Sequence, residues 1–508
     1  MILDNLLFVS CGAAVLLVAV FLYQTVTSPL KRVPGPFVAR FTDLWYAWRV
    51  WKGHFEKDNI RLHEKYGKVV RYGPNRYSIK DPKGARIIYG HGSHFYKSSW
   101  YDAFGVPDHE RWGLFMDRDP NRHAQNRRQF QDTFSMSSLV TYEPYVDNCI
   151  GVFSQRLHEM SGTGLPFDMG YWFQCYAFDV IGMITYSKRL GFLDVGEDIG
   201  GVIRALEEML SYSSMVGIFA SLHPFLFPVV NWWAGEAGSG RQFLLRYTNE
   251  RANEHQAEAK AVITDDVQAD VGTDFLTKFV SKHAANPTVF SRYHILAGCT
   301  ANMSAGSDTT AITLSAILYY LLKNPQSYRR LVEEVDEYYG RDGAPEVITF
   351  KESQSLPYLQ AVIKEAFRIH PAAGQPLERV VPPGGATICD YFFPEGTIVG
   401  VNSWVEHRDK GTFGEDADEF RPERWLTDDK QRLSFMNSRW MPFGLGSRTC
   451  IGRHISILEI SKLIPYLLHN FDFQLHGGMD EPGRLWKTTN RWFVKPRGFQ
   501  VRVKVRKV

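Results

Sequence analysis

The chain has 508 residues, of which 44% are hydrophobic and 22% charged, and this is the composition of a globular protein with an ample core. Its formal net charge of +3 gives no large field of one sign, which disfavours a nucleic-acid binder held by a dominant basic surface. The 6 cysteines include no C-x-x-C pair, which argues against a disulfide framework, structural zinc and an iron–sulfur cluster, and favours a reducing, cytosol-facing protein.

Residues 1–30 are predicted to be a membrane anchor. The chain from Leu6 to Tyr23 carries no charge and is just long enough to cross the hydrocarbon core of a bilayer as a helix. A cleaved signal peptide is the alternative, but no basic segment precedes the run and no small-x-small cleavage site follows it. Asp4 precedes the run whereas Lys31 and Arg32 follow it, and this bias places the C-terminal part on the cytoplasmic side.

Residues 31–508 are expected to form one large domain, because no repeat, low-complexity tract or Gly/Ser/Pro-rich linker divides them. Helical periodicity dominates the middle and the last third, so the predicted fold class is mainly α with small β-sheets. The strand-like segments are short and include Val69 to Tyr72, Arg76 to Ile79 and Gln500 to Val505. The charged stretch 252–273 is interpreted as an exposed loop between long helices.

A second apolar stretch runs from Met209 to Trp233. His223, Pro224 and Pro228 interrupt it, so it would make a poor spanning helix. Two interpretations stay equally open: the segment dips into a membrane surface, or it is buried core.

A long apolar helix is predicted from Tyr293 to Leu322. It contains the segment Ala305-Gly306-Ser307-Asp308-Thr309-Thr310, whose glycine and hydroxyls would loosen the helix locally. Taken alone, this segment is more simply interpreted as an N-cap or a polar cluster within a helix.

A helix beginning near Tyr358 carries Glu365 and Arg368, which lie three residues apart on one face and can pair. This pattern is weak by itself, because any solvated helix can contain it. The segment Phe420-Arg421-Pro422-Glu423-Arg424-Trp425 follows further along the chain.

The segment Phe443-Gly444-Leu445-Gly446-Ser447-Arg448-Thr449-Cys450-Ile451-Gly452 contains the most informative motif, F-x-x-G-x-R-x-C-x-G, and an apolar-periodic helix follows it. Glycines allow a tight loop to pass close under a flat macrocycle, and a cysteine at a helix N-terminus receives backbone N–H groups that stabilise its thiolate. Arg448 would pair with a haem propionate. A phosphate-binding loop is excluded, because the segment lacks the third glycine and the lysine of the nucleotide loops.

These segments occur in the order found in the cytochrome P-450 family, which the chain resembles over nearly its whole length. Three further segments resemble fungal microsomal members of the pisatin demethylase-like kind: Phe178 to Gly182, Lys188 to Leu193, and Trp492 to Pro496. The resemblance implies the cytochrome P-450 fold, a large helical domain with small β-sheets, together with one N-terminal transmembrane helix.

The resemblance also implies a heme b cofactor with Cys450 as its axial thiolate and metal ligand. Asp308 and Thr309 would be the acid–alcohol pair that delivers protons to dioxygen during its reduction at the iron. Arg424 would complete a buried structural network with Glu365 and Arg368.

Contacts to haem are implied for Phe443, Arg448 and Gly452 within the cysteine loop. Outside this loop they are implied for His123, Arg127 and Arg379. Histidine stands at position 123 where many members have tryptophan, which leaves open the details of haem seating, although histidine still donates a hydrogen bond. A solvated charge is the alternative interpretation for His123 and Arg379.

The implied reaction inserts one oxygen atom of dioxygen into an apolar small molecule, in fungal secondary metabolism of a terpenoid, polyketide or indole-derived compound. The chain has no flavin or nicotinamide fingerprint, so the resemblance implies electrons from an NADPH-cytochrome reductase, with cytochrome b5 as a second donor. Arg128, Arg439 and Arg453 could dock that donor, although a solvated face is an equal alternative. Membrane lipid is a further partner, nucleic acid is not, and the implied location is the endoplasmic reticulum membrane with the catalytic domain in the cytosol.

The substrate pocket is expected to combine five segments: Trp100 to Phe115, Met209 to Trp233, Ala301 to Ala305, Ala372 to Leu377, and Thr488 to Asn490. Two rival functions remain. A haem-thiolate isomerase or dehydratase would rearrange a hydroperoxide without a reductase, but the Asp308–Thr309 pair counts against it. A catalytically silent haem-binding protein is disfavoured by the intact cysteine, acid and alcohol positions.

Overall fold

The computed structural model describes residues 28–108, 112–238, 245–251, 253–254, 274–479, 481 and 483–507. The predicted anchor helix from Leu6 to Tyr23 lies outside these residues, as does nearly all of the predicted loop at 252–273. The description that follows therefore concerns the remainder of the chain.

Helices account for most of the regular structure in this part of the chain. They are α1 (Leu44–Trp51), α2 (Phe55–Tyr66), α3 (Pro82–Tyr89), α4 (Pro120–Phe130), α5 (Met136–Val140), α6 (Glu143–Thr163), α7 (Met169–Tyr186), α8 (Phe192–Val195), α9 (Val202–Val216), α10 (His223–Gly238), α11 (Phe275–Ala285), α12 (Arg292–Lys323), α13 (Pro325–Tyr339), α14 (Phe350–Ser353), α15 (Pro357–Ile369), α16 (Ser403–Glu406), α17 (Lys410–Phe413), α18 (Lys430–Asn437) and α19 (Arg453–Asn470).

The strands are short and form four small sheets. They are β1 (Val69–Gly73), β2 (Arg76–Ile79), β3 (Tyr96–Lys97), β4 (Phe167–Asp168), β5 (Arg379–Val380), β6 (Ala386–Ile388), β7 (Tyr391–Phe393), β8 (Ile398–Gly400), β9 (Phe471–Leu475), β10 (Lys487–Arg491), β11 (Phe493–Arg497) and β12 (Gln500–Val505). The sheet orders are β1-β2-β8-β5-β3, β4-β12-β9, β10-β11 and β6-β7. The sequence-based prediction of a mainly α fold with small sheets is confirmed, and so are the three predicted strands.

The central helix α12 organises the core. Ser291 and His294 form a capping box at its start, and most of its side chains from Ser307 to Leu321 are buried. It packs most extensively against α7, whose own residues are buried on nearly every face, and it also contacts α15 and α19. The predicted helix from Tyr293 to Leu322 is confirmed to within a residue at each end.

The five-stranded sheet brings distant basic residues together. Its edge strand β3 pairs with β5 in antiparallel fashion, and their register places Lys97 opposite Arg379. Both residues are buried. The pairing of these two strands therefore places two basic side chains in the protein interior, where both line the candidate site.

The apolar stretch from Met209 to Trp233 is not one straight helix. A 3-10 turn, Gly217–Leu222, joins α9 to α10, and Phe219 within it has non-helical backbone angles (φ −116°, ψ 54°). By length and composition alone, Ile199–Trp233 is the single candidate membrane span among the described residues, and 28% of its most apolar window is buried.

The two halves of this stretch differ in burial. Leu210, Ser213 and Ser214 of α9 are buried, so the core interpretation is correct for that half. Phe225, Trp232 and Trp233 of α10 are 74%, 79% and 80% exposed, so the core interpretation is wrong for the second half. Contact of α10 with a membrane surface stays a prediction.

Candidate active site

The cysteine loop is shaped by a glycine that no other residue can replace without rearrangement. Gly446 has φ +64°, and a Cβ at this position would overlap the carbonyl oxygen of Tyr89. The loop closes where the backbone N–H of Cys450 donates to the carbonyl of Phe443 (2.9 Å). Helix α19 begins three residues after Cys450, so the thiol lies at a helix N-terminus as the sequence predicts.

The thiol of Cys450 faces a cavity and is exposed to it. Protein atoms surround this cavity on most sides, so the thiol is still far from bulk solvent. Burial raises the pKa of the Cys450 thiol. The backbone N–H of Gly452, the charge of Arg127, and the charge and backbone N–H of Arg453 act in the opposite direction and favour the thiolate.

Helix α12 forms the opposite wall of the same cavity. Ala305, Gly306 and Thr309 line it. The Thr309 hydroxyl donates to the carbonyl of Ala305 (2.9 Å), and Gly306 leaves the helix without a side chain at this point. A thiol and an alcohol thus share one cavity from different elements.

Six basic residues line this cavity: Lys97, His123, Arg127, Arg379, Arg448 and Arg453. Arg127 donates to the carbonyl of Thr449 (2.7 Å), Arg448 donates to that of Asp117 (2.5 Å), and Arg379 donates to that of Glu378 (2.8 Å). Arg379 also contacts the Tyr101 hydroxyl and the carbonyl of Leu377 through the same nitrogen, so that among the described residues each of these three arginines keeps N–H groups available for a bound group.

The mutual repulsion of these cations is visible in their acid–base properties. Burial and then the charge of Arg379 lower the pKa of Arg448 to about 10. Burial and then Arg448 lower the pKa of His123 to about 3, and the pKa of Lys97 also falls well below its ordinary range. A buried cluster of one sign is costly unless an anionic group binds there.

The residues present fit a haem. A cysteine thiol faces the cavity, glycines allow a close approach beside it, and the clustered cations suit the two propionates of the macrocycle. Phe443 and Gly452, also predicted to contact haem, line the same cavity. Lys97 was missed, because a lysine in a two-residue strand carries no motif.

Asp308 does not line the cavity, although an acid that transfers protons there is expected to do so. It is fully buried, whereas its neighbour Thr309 lines the cavity. Its Oδ1 accepts a hydrogen bond from Lys495 (3.1 Å) and another from Gln174. Sequence reasoning missed both partners, which lie 187 and 134 residues away along the chain.

The predicted structural network on the cysteine side of the fold is confirmed. Glu365 pairs with Arg368 (2.8 Å) and Arg424 (3.0 Å), and all three side chains have no solvent exposure. Burial disfavours the carboxylate, yet the two arginines hold the pKa of Glu365 below its ordinary value.

The predicted pocket is partly wrong. Residues from Trp112 to Phe115, Ala301 to Ala305 and Ala372 to Leu377 contribute to the lining, but those from Met209 to Trp233 and from Thr488 to Asn490 do not. The β10–β11 hairpin contributes Trp492 and Phe493 instead. The reason is that Trp492, at φ +78°, turns the chain so that the residues after β10, and not those within it, reach the cavity.

Comparisons with known proteins agree with this geometry. The family model described as Cytochrome P450 matches residues 34–502. A pisatin demethylase of Fusarium vanettenii is 38% identical over 482 residues, which is 94% of this chain and 90% of that protein. A cytochrome P450 monooxygenase of Aspergillus terreus is 39% identical over 87% of this chain and 90% of its own length.

A third relative, cytochrome P450 monooxygenase cicH of Emericella nidulans, is 36% identical over 97% of both chains. These relatives identify the activity of the chain as that of a monooxygenase, and the family uses haem iron with a cysteine thiolate ligand. On the strength of the family match and of relatives that align along nearly the whole length, the chain belongs to the cytochrome P450 family.

Proposed function

We propose that this protein is a haem-thiolate monooxygenase of an apolar small molecule, with Cys450 as the axial ligand of heme b. The observation that carries the proposal is that Cys450 and Thr309 line one cavity together with six basic residues. When bound, the haem supplies the activation of dioxygen, one atom of which enters the substrate while the other leaves as water.

The protein's own residues then have distinct roles. His123, Arg127, Arg379 and Arg448, to which we add Lys97, bind the propionates, while Phe443 and Gly452 contact the macrocycle next to the thiolate. Thr309 and Asp308 transfer protons. Support for this division comes from the cavity lining, in which basic residues outnumber acidic ones. Among the described lining residues Glu459 is the acidic one, and burial raises its pKa, which disfavours the carboxylate.

The substrate is an apolar compound of fungal secondary metabolism, of the terpenoid, polyketide or indole-derived kind. The part of the lining that surrounds the substrate space is apolar and aromatic, with Trp112, Leu114, Phe115, Ile181 and Trp492. Polar side chains are few there.

Electrons come from an NADPH-cytochrome reductase, with cytochrome b5 as a second donor. Arg128 and Arg453 support a docking surface beside the cysteine loop, because both are exposed. Arg439 suits this role less well, since it is half-buried and its guanidinium lies over the ring of Phe435 (3.5 Å).

The protein is located in the endoplasmic reticulum membrane through an N-terminal anchor, with the catalytic domain in the cytosol. The exposed apolar side chains of α10 support contact with lipid by the body of the protein as well, since Trp and Phe favour the interface of a bilayer.

The ferrous carbon monoxide difference spectrum tests the proposal. Wild-type protein is expected to show a red-shifted, thiolate-type Soret band that Cys450→Ala abolishes, whereas the control Cys389→Ala keeps it. A band that survives Cys450→Ala, or no band in folded wild-type protein, would contradict the assignment.

A further inference from the structure

Asp308 lies in a buried polar network that the proposed roles leave unexplained. The network joins three elements: α12 provides Asp308, α7 provides Gln174 and β11 provides Lys495. Asp308, Gln174 and Lys495 are 0%, 5% and 9% exposed. The network is therefore deep in the protein, beside the α12 segment that lines the cavity.

Lys495 occupies the centre of this network. Its Nζ lies 3.1 Å from Asp308 Oδ1, 2.9 Å from Glu207 Oε1 and 3.5 Å from Gln174 Oε1. An ammonium group has three donors, so each of its N–H groups faces one acceptor. Lys495 thus bridges two carboxylates that would otherwise repel each other.

The network extends to solvent. Glu207 on α9 also pairs with Arg497 (2.9 Å), whose side chain is 41% exposed. Burial disfavours ionisation of Glu207, but Lys495 and Arg497 hold the pKa of this carboxyl below its ordinary value. A continuous series of charged groups therefore connects buried Asp308 to the surface.

The second oxygen of Asp308 distinguishes this network from a simple structural ion pair. Among the described residues, Oδ2 is buried and no group donates a hydrogen bond to it. Leaving a buried acceptor unpaired costs about 1–3 kcal/mol, so a network built for stability alone would be expected to satisfy both oxygens. An oxygen left free in this way suits a group that exchanges its partner.

We propose that Lys495 is a positioning residue for proton transfer: it holds Asp308 as a carboxylate through Oδ1, leaves Oδ2 free to exchange a proton beside Thr309, and links Asp308 to solvent through Glu207 and Arg497. This inference rests on the proposed function, in which Asp308 and Thr309 transfer protons. Lys495 itself touches neither haem nor substrate.

The charge of Asp308 can be tested in the resting protein, without turnover. A buried carboxylate that loses its cation takes up a proton, because an isolated buried charge is costly. The infrared difference spectrum between Lys495→Met and wild type is therefore expected to contain the C=O stretch of a new protonated carboxylic acid. That band should be missing in the double variant Asp308→Asn/Lys495→Met.

Proton transfer is tested with NADPH, the reductase and dioxygen alone, because no substrate is needed. Dioxygen then takes two electrons and two protons to give hydrogen peroxide, or four electrons and four protons to give two waters. Only the second route breaks the O–O bond, and it depends on a correctly placed proton. The ratio of NADPH oxidised to peroxide formed measures the partition between the two routes.

Lys495→Met is expected to lower the water-forming fraction by about tenfold. This is less than the ~10²–10⁴-fold that a group transferring the proton itself contributes, because Lys495 acts through Asp308. Lys495→Arg keeps the positive charge and should restore most of that fraction. The control Lys487→Met removes an exposed lysine from the same hairpin and should leave the partition unchanged.

Two results would each overturn the proposal. Failure of the new infrared band to appear would show that Lys495 does not set the charge of Asp308. An unchanged partition in Lys495→Met would show that the ion pair is structural only. Both results leave the thiolate-type carbon monoxide band of wild-type protein intact, so they differ from failure of the proposed function, in which that band is missing.

Discussion

Glu406, at the end of α16, is a carboxylic acid without a hydrogen-bond partner. It is 1% exposed, and among the described residues neither carboxyl oxygen accepts a hydrogen bond. Its pKa is raised from 4.5 to about 8, mainly by burial and then by the charges of Asp409 and Asp81, against the opposing charges of Arg439 and Lys80. The group is therefore neutral in the folded protein at neutral pH.

This shift makes stability depend on pH in a defined direction. Between pH 4.5 and about 8 the unfolded chain loses the proton of Glu406 while the folded protein keeps it. The free energy of unfolding should consequently fall as pH rises through this window, by up to about 1.4 kcal/mol per pH unit. Below pH 4.5 both the folded and the unfolded chain keep the proton of Glu406, so this residue no longer makes the free energy of unfolding depend on pH.

Glu406→Gln is expected to remove this dependence. Relative to wild type, the variant should gain on the order of 2–4 kcal/mol in free energy of unfolding between pH 5 and pH 8. Urea unfolding at several pH values measures this gain, with the exposed Glu64→Gln as the control. Parallel stability curves for Glu406→Gln and wild type would refute the prediction.

At the scale of elements, the Glu365 network joins α15 to the loops that precede the cysteine segment. Glu365 also accepts from the indole N–H of Trp425 (2.9 Å) and the backbone N–H of Arg421 (2.9 Å). Arg368 donates to three backbone carbonyls, those of His407, Ala417 and Glu419. One buried carboxylate thus pairs with two arginines that hold an otherwise irregular segment.

Removing the charge of Glu365 should therefore lower the free energy of unfolding by much more than the loss of one hydrogen bond would. Glu365→Gln leaves Arg368 buried without a counter-charge and leaves Arg424 with Asp416 alone, and we expect it to lower the free energy of unfolding by about 3–5 kcal/mol. Urea unfolding measures the change, and the control is Glu333→Gln at an exposed position of α13.

A milder variant keeps this prediction testable if Glu365→Gln does not fold. Arg424→Lys keeps the charge but loses the planar fork that reaches Glu365, Asp416 and the carbonyl of Phe413 together. An intermediate loss of stability is expected. A loss no greater than that of the exposed control would mean that the network is dispensable.

For the whole molecule, contiguous motifs were predictable and long-range partners were not. Cys450 and Arg448 share one loop, and Glu365 and Arg368 share one helical face. Their spacing in the sequence therefore predicts that the members of each pair lie close together. Lys97 and Lys495 meet the site only because small sheets fold back onto α12, and single lysines in short strands carry no signal of this. The burial of α9 and the exposure of α10 likewise depend on packing and not on hydropathy, since α10 is the more apolar of the two helices.

The overall charge of the protein does not explain how a redox partner would be aligned, whereas the local distribution of charge does. A net charge of +3 is too small to guide a redox partner over long distances. Arg128 near the end of α4 and Arg453 at the start of α19 are exposed, and both helices adjoin the cysteine loop. A local basic surface there can align an acidic partner at short range.

Reversing these two charges is therefore expected to slow electron transfer specifically. Arg128→Glu/Arg453→Glu should reduce the rate of haem reduction by the NADPH-cytochrome reductase by about tenfold at low ionic strength, with a smaller effect at high salt because screening removes the attraction. Anaerobic stopped-flow mixing under carbon monoxide measures the rate. The control Arg502→Glu/Lys504→Glu changes the net charge equally at exposed positions of β12. Equal slowing by both variants would assign the effect to net charge, and unchanged reduction would place the docking surface elsewhere.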